Sequence, residues 1–440
     1  MRRGRQLDSH GETAKKRKWY SLADKVWNLA NLEQAWQKVR ANKGKHGVDG
    51  VTIEEVEANL TGNLLQLHEE LKGKTYRPQP VRRVYIPKAD GRQRPLGIPT
   101  VRDRVVQQAL RMVIEPIFEA KFLSCSFGFR PGRGAHDAID QVTAFLGEGF
   151  QHVVDCDVVG YFDHIPHDRL IDAVAEEISD GTVLRLIRMF LESGIMEGGV
   201  WHETEEGTPQ GGVISPLLAN IYLHSLDEEM TKRGHRMVRY ADDFIILCGS
   251  QRAAERVMEH VKEILGQMGL EAHPEKSKVV SLQEGFCFLS YYFHEYGRRP
   301  SDKALAKFKD RIREITRRNQ TVPITKAAKE LTKYLRGWGA YFGYGQVKTR
   351  FASLDQWIRR RMRAVQLRSW RHVGKLHHVL KRKGWKGKDL TGLRMRRWRS
   401  SKCPMVHAAL DNKWAKEAGL ISLVDVYLRI AELRQSRAAG

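Results

Sequence analysis

Two short apolar runs, each carrying paired acids, constrain this chain most. Val153-Val154-Asp155-Cys156-Asp157-Val158-Val159 and Asp242-Asp243-Phe244-Ile245-Ile246-Leu247 have the composition of buried strands. Taking a carboxylate into such surroundings costs several kcal/mol unless positive charge stands beside it. In the first run Asp155 and Asp157 alternate with Cys156, so both face one side of the strand. In the second, Asp242 and Asp243 fall where one apolar strand turns into the next. One acid in a strand is ordinarily a capped or solvent-edge residue. Two such clusters in one basic chain point instead to a shared divalent cation. Mg²⁺ takes hard carboxylate oxygens and leaves coordination for substrate phosphates. A pair of such ions, ~3.5–4 Å apart, clamps both the attacking and the leaving oxygen of a displacement. Periodicity alone does not choose between Asp155 and Asp157.

The 440 residues exceed one ordinary core and imply two or three domains. Residues 1–20 read as a flexible basic arm. Helical spacings cover 21–45, 53–72 and 101–119, and residues 81–87 alternate as a strand before an Ala-Asp-Gly-Arg-Gln turn. After the first acidic strand, residues 168–192 read as helical. MVRYADDFIILCG reads as two strands around a turn, and FCFLSYYFHEYG as a closing hairpin. Helices mixed with strands through residue 300 predict an α+β domain.

Charge changes that pattern. The net +23 is carried wholly by residues 301–440, which hold 35 Lys and Arg against 10 Asp and Glu. Residues 303–318 and 353–370 space apolar positions for helices with basic outer faces. Six of the ten tryptophans lie in this third, and basic residues interleaved with tryptophan suit a groove that follows phosphates and stacks bases. Taken singly, Trp357 and Trp370 read as core. The charge points to a nucleic acid partner, with an anionic membrane surface as the alternative that liposome binding would test. No apolar run is long enough to span a membrane, and the N-terminus lacks a secretory signal's apolar segment. Five separate cysteines without a CxxC pair argue against a disulfide framework or zinc ribbon and fit a reducing cytoplasm.

Tyr240-Ala241-Asp242-Asp243 has the YxDD form of reverse transcriptases. Together with RPLGIPTVRDRVVQQAL (94–110), SFGFRPGRGAHDAI (126–139), GTPQGGVISPLLANIYLHSLD (207–227), LRGWGAYFGYG (335–345) and FASLDQWIRRRMR (351–363), it resembles the bacterial group II intron-encoded reverse transcriptase/maturase family, in order over residues 20–430 or so. The resemblance implies a right-hand polymerase: fingers and palm with an antiparallel sheet in residues 21–300, a helical thumb or maturase domain in 301–375, and a small basic DNA-binding domain in 376–440. In the family the metal-binding Asp lies five residues before an aromatic, which selects Asp157 before Phe162 and leaves Asp155 a structural role. Asp157, Asp242 and Asp243 are then the catalytic and metal-binding triad for two Mg²⁺ ions. Phe162 matches the bulky residue that excludes a 2′-hydroxyl. Lys88 and Arg94 match positions that grip the triphosphate. Gln210 matches a contact to the incoming nucleotide, and Lys276 a lysine near the primer end, with Lys278 competing for that role. His164 and His167 are read as a turn rather than a metal pair, and Arg130 and Arg133 as contacts to template backbone.

The implied activity is RNA-directed DNA synthesis, with intron RNA bound as a maturase and retromobility by target-primed reverse transcription. The implied partners are group II intron RNA, target DNA, the RNA template–DNA primer duplex and dNTPs, with no membrane, in a ribonucleoprotein holding a monomer or dimer. The expected place is the cytoplasm, at the nucleoid when acting on DNA. Cys403 stands alone after residue 400, so no Cys/His endonuclease is expected, as in the class C branch. A polymerase domesticated for repair or phage defence shares the core motifs, and the DNA flanking the gene would separate the two.

Overall fold

The computed structural model describes residues 18–87, 91, 93–317, 323–370, 372–387, 390 and 398–438. These divide into two compact units, the first ending at Val279 and the second starting at Val280.

The first unit mixes helices with strands, as the hydrophobic periods require. Helix Leu29–Ala41 turns Leu32, Ala35, Trp36 and Val39 inward at spacings of three and four, and packs on helix Val101–Glu119. The helical run over 168–192 is made of two helices, His167–Ala175 and Gly181–Leu191. Asp180 makes the break. Its carboxylate accepts the Thr182 and Val183 amides at 3.0 and 3.2 Å, capping the second helix. Its other oxygen accepts the Leu22 and Ala23 amides at 2.7 and 2.9 Å, at the start of helix Ala23–Trp27.

The strands are β1 (Val81–Pro87), β2 (Gln93–Ile98), β3 (His152–Cys156), β4 (Ile195–Glu197), β5 (Val200–His202), β6 (Arg236–Tyr240), β7 (Asp243–Cys248) and β8 (Lys278–Ser281). They form two four-stranded sheets, ordered β2-β1-β4-β5 and β6-β7-β3-β8. In the second sheet β7 runs antiparallel to both β3 and β6. Val154, Cys156, Phe244, Ile246 and Cys248 enter the main apolar core. The alternate positions therefore bring Asp155, Asp157 and Asp243 to the opposite face.

The second unit begins with an antiparallel sheet, β9 (Phe286–Phe288), β10 (Tyr291–His294) and β11 (Gly297–Pro300), where the sequence shows a two-stranded hairpin. Helices follow, chiefly Asp302–Ile315, Ile324–Phe342, Lys348–Ser369 and Leu423–Ala438. Aromatic rings fill the space between them: Phe286 stacks on Phe293 at 5.0 Å, and Trp338 lies 4.1 Å from Phe308 and 4.7 Å from Phe342. A separate small core holds Trp370 and Trp398 with Leu376, Leu380, Val406 and Leu410.

Candidate active site

Strand register decides which acids meet. Cys156 pairs with Phe244 and Asp155 with Ile245. One step further, Asp157 falls opposite Asp243, the first residue of β7. Tyr240 pairs with Asp243 across a two-residue turn of Ala241 and Asp242. Burial pushes the Asp243 carboxyl up to about 7, and repulsion from Asp155, Asp242 and Asp157 adds to it. Burial also raises Asp242, with Arg94 opposing and Asp157 adding. Asp155 is pushed to about 6 by burial, against the attraction of Lys278. Arg94 and Lys278 only partly offset the negative charge gathered here. Lys276 adds a further cation, its ammonium donating to Asp157 Oδ2 at 2.7 Å. Among the described residues no three His, Cys, Asp or Glu side chains stand close enough to hold a metal ion together. The triad is gathered within electrostatic reach without forming a finished chelate. Its donors fit Mg²⁺ nonetheless: they are hard oxygens, deficient in positive charge, with an ammonium standing in for a cation on one of them.

A buried frame holds the turn. Arg239 and Asp227 are fully buried and pair bidentately, at 2.7 Å from Nε and 2.5 Å from Nη2. Arg239 Nη1 donates to Asn220 Oδ1 at 2.8 Å and to the Ala241 carbonyl at 2.9 Å, and Nη2 donates to Ser126 Oγ at 2.8 Å. Ala241 adopts φ 60°, a left-handed conformation that costs an L-residue about 1–2 kcal/mol. Gly128 presses on it from outside, where a Cβ would lie 2.3 Å from the Ala241 nitrogen. Asn220 Nδ2 donates to the Gly128 carbonyl at 2.8 Å.

The β1–β2 hairpin and the Gly-Thr-Pro-Gln-Gly-Gly loop close the other side. Arg94 Nε donates to Gln210 Oε1 at 2.8 Å, and the Gln210 carbonyl accepts the Gly97 amide at 2.7 Å. Thr208 donates its amide to the Phe162 carbonyl at 2.7 Å. Gly207 sits at φ 85°, where a Cβ would meet the Asp163 carbonyl at 2.6 Å. Phe162, Gln210, Thr208 and Arg83 line one cavity of about 380 Å³. Lys88 lies outside the described residues.

Residues 86–293 match the family model for reverse transcriptase (RNA-dependent DNA polymerase), and residues 305–385 that for the group II intron maturase-specific domain. Protein YkfC of Escherichia coli K12 is 36% identical over 301 residues, covering 59% of this chain and 79% of that protein. This chain belongs to the group II intron-encoded reverse transcriptase and maturase family. Group II intron-encoded protein LtrA of Lactococcus lactis is 42% identical over 195 residues, 44% of this chain and 32% of LtrA. An uncharacterized 91 kDa protein in the cob intron of Schizosaccharomyces pombe is 39% identical over 196 residues, 44% of this chain and 24% of that protein. The chain thus aligns with only about a third of LtrA and a quarter of the yeast protein.

Within this group II intron reverse transcriptase, the structure brings Asp157, Asp242, Asp243 and Lys276 to one place and Arg94, Gln210 and Phe162 to its flank. It corrects the reading of Arg130 as a template contact. The Arg130 guanidinium is buried, donates to Glu119 and to the Leu123, Ser126 and Phe122 carbonyls, and lies over the Phe122 ring. Five internal partners leave that fork nothing to offer a phosphate. His164 pairs with Glu206 and His167 with the Gly207 carbonyl. Sequence reading missed Arg239, Asp227, Asn220 and Ser126. Their signal was available in motifs that place a polar or charged residue inside an apolar helix or strand.

Proposed function

We propose that this chain copies RNA into DNA with Asp157, Asp242 and Asp243 as the carboxylates that hold two Mg²⁺ ions. When bound, the ions would lower the pKa of the primer 3′-hydroxyl and neutralise charge on the departing pyrophosphate. The protein's own groups position the substrates. Arg94, aligned by Gln210, presents a planar fork to the triphosphate, with Lys88 as a second charge. Phe162 stands beside the cavity as the steric check on a 2′-hydroxyl. Lys276, which donates to Asp157 here, would face the primer end once a metal ion took its place. The observation that carries the reading is the convergence of charge-deficient carboxylates beneath a strained turn.

In this reading residues 21–300 supply fingers and palm, 301–375 the thumb or maturase helices, and 376–440 a basic DNA-binding end. The sheet of residues 286–300 is built into the second compact unit. The basic second unit holds template–primer duplex and intron RNA by phosphates and A-form shape. Target-primed mobility in a ribonucleoprotein and a cytoplasmic, nucleoid-associated place follow from the same reading. Among the described residues no helix is long and apolar enough to cross a membrane.

Primer extension by Asp242→Ala tests it. Losing a metal carboxylate removes several kcal/mol of transition-state stabilisation, so synthesis should drop by roughly 10³-fold or more. Protein-assisted splicing of the intron RNA should persist, because RNA supplies that chemistry. Full synthesis by this variant sinks the triad assignment. Loss of splicing in a folded variant denies the separation of the two roles.

A further inference from the structure

Trp357 differs from the tryptophans that pack into the cores of the basic third. Trp370 and Trp398 are buried in a small core and the half-buried Trp338 packs on Phe308 and Phe342, whereas Trp357 lines a cavity of about 380 Å³ between helices Asp302–Ile315 and Lys348–Ser369. That is the size of a small-ligand cleft. Leu305 and Leu354 complete its apolar lining, Lys309, Arg313 and Arg350 supply its charge, and no carboxylate lines it. The indole is held in place beforehand. Arg361 lies 5.6 Å from its ring centroid and is itself anchored, donating to Thr316 Oγ1 at 2.6 Å and to the Thr316 carbonyl at 3.2 Å. Arg313 approaches the same ring at 6.0 Å while paired with Asp310.

Lys309 and Arg350 have no hydrogen bond or ion pair among the described residues. Burial pushes the Arg350 guanidinium below its ordinary range, and Arg299 adds repulsion that outweighs the attraction of Asp302. A partly desolvated cation with no carboxylate beside it in the cavity, next to an aromatic face and two leucines, is half of a recognition site. The missing half is a flat apolar ring joined to a phosphate. A paired base in an A-form helix is stacked away from protein, so only an unstacked base reaches a recess of this kind.

We propose that this pocket takes an unpaired nucleotide of an RNA strand, with its base against Trp357 and its phosphate between Lys309 and Arg350. The pocket lies inside the matched maturase-specific domain, residues 305–385. The proposal rests on the reading that this domain binds RNA, and it names the feature of the RNA that is read.

Binding of the full-length protein to two labelled RNAs tests it: a blunt duplex, and the same duplex with one bulged adenosine. Trp357→Ala should weaken binding to the bulged RNA about tenfold, the effect of one lost base stack, and leave the blunt duplex unchanged. Trp357→Phe should keep most of the preference. Arg350→Ala, which alters no packed ring, should also lose affinity for the bulged RNA alone. Equal losses on both RNAs, or none, overturn the pocket while the RNA reading stands. Trp357→Ala that leaves RNA binding intact but raises KM for dNTPs also overturns it, because the pocket then serves a free nucleotide. Wild-type protein that binds neither RNA overturns the RNA reading and the pocket with it.

Discussion

The Ala241–Asp242 turn would not keep its shape by itself. A left-handed alanine relaxes unless something holds its carbonyl, and here that group is the Arg239 guanidinium at 2.9 Å. The guanidinium is in turn fixed by Asp227, so the Ala241–Asp242 turn depends on a salt bridge it does not contain. Removing one partner of a fully buried pair leaves an uncompensated charge. Arg239→Met should therefore cost about 3–5 kcal/mol of stability. Adding Asp227→Leu should restore most of that, because apolar residues of similar size often replace a buried pair without loss. Activity should not return with it. The Ala241 carbonyl would still lack its donor, and a misplacement of an ångström at a reacting group costs roughly 100-fold. Denaturant unfolding and primer extension on the two variants separate the effects. Recovery of both stability and full activity in the double variant would show that Arg239 only fills space.

At the scale of elements, Asp180 is a single carboxylate that starts two helices. Burial alone would raise it, but the amides of Ala23, Leu22, Val183 and Thr182 overrule that and hold it below the ordinary carboxylate range. Asp180→Ala should cost about 1–3 kcal/mol at neutral pH, two caps' worth. The sign with pH follows from linkage. In the unfolded chain the group titrates near ~3.9, so the unfolded state binds more protons than the folded one below that. The stabilisation is full above about pH 4 and fades as pH falls through the depressed folded value. The gap in thermal midpoint between wild type and Asp180→Ala should narrow in acid; an equal gap at neutral and acid pH would refute the capping account. Asp180 also marks what periodicity does not show. The helical spacing over 168–192 continues through the break, so only the capping residue betrays it. Local patterns did place the β1–β2 hairpin, the acidic strand and the turn between β6 and β7, because turn chemistry and alternation are short-range signals. Contacts across long separations were hidden. Gly339 and Gly343, within the Gly/aromatic motif of 335–345, leave room for Val426 and Ile430 of the last helix, and Asp355 accepts that helix's Leu423 and Val424 amides. Neither pairing has a trace in local spacing. The same holds for the aromatic contacts of Tyr291 with Tyr341 and Phe342, which tie β10 to the helices as well as to its own sheet.

Across the whole molecule, charge is divided almost as sharply as structure. Residues 301–440 carry +25 and residues 1–300 carry −2, so a polyanion held by both parts would gain its ionic affinity from one of them. Each cation that neutralises a phosphate releases condensed counterions and steepens the fall of affinity with salt by about 0.7–0.9 on a double-logarithmic plot. Lys303, Lys307 and Arg360 are exposed on the basic helices, and Arg252 and Arg256 are exposed on helix Gln251–Gln267 of the first unit. Changing the first three to glutamine should flatten the salt dependence of template–primer binding by about one unit for each that touches phosphate, measured between about 50 and 200 mM salt. Changing Arg252 and Arg256 should leave the slope where it was. Asp242→Asn should leave it too, since the role proposed for that position lies in bond formation rather than ionic hold. If the first-unit arginines flatten the slope as much as the second-unit cations do, the polyanion is shared between units, and the division of labour drawn from net charge is wrong.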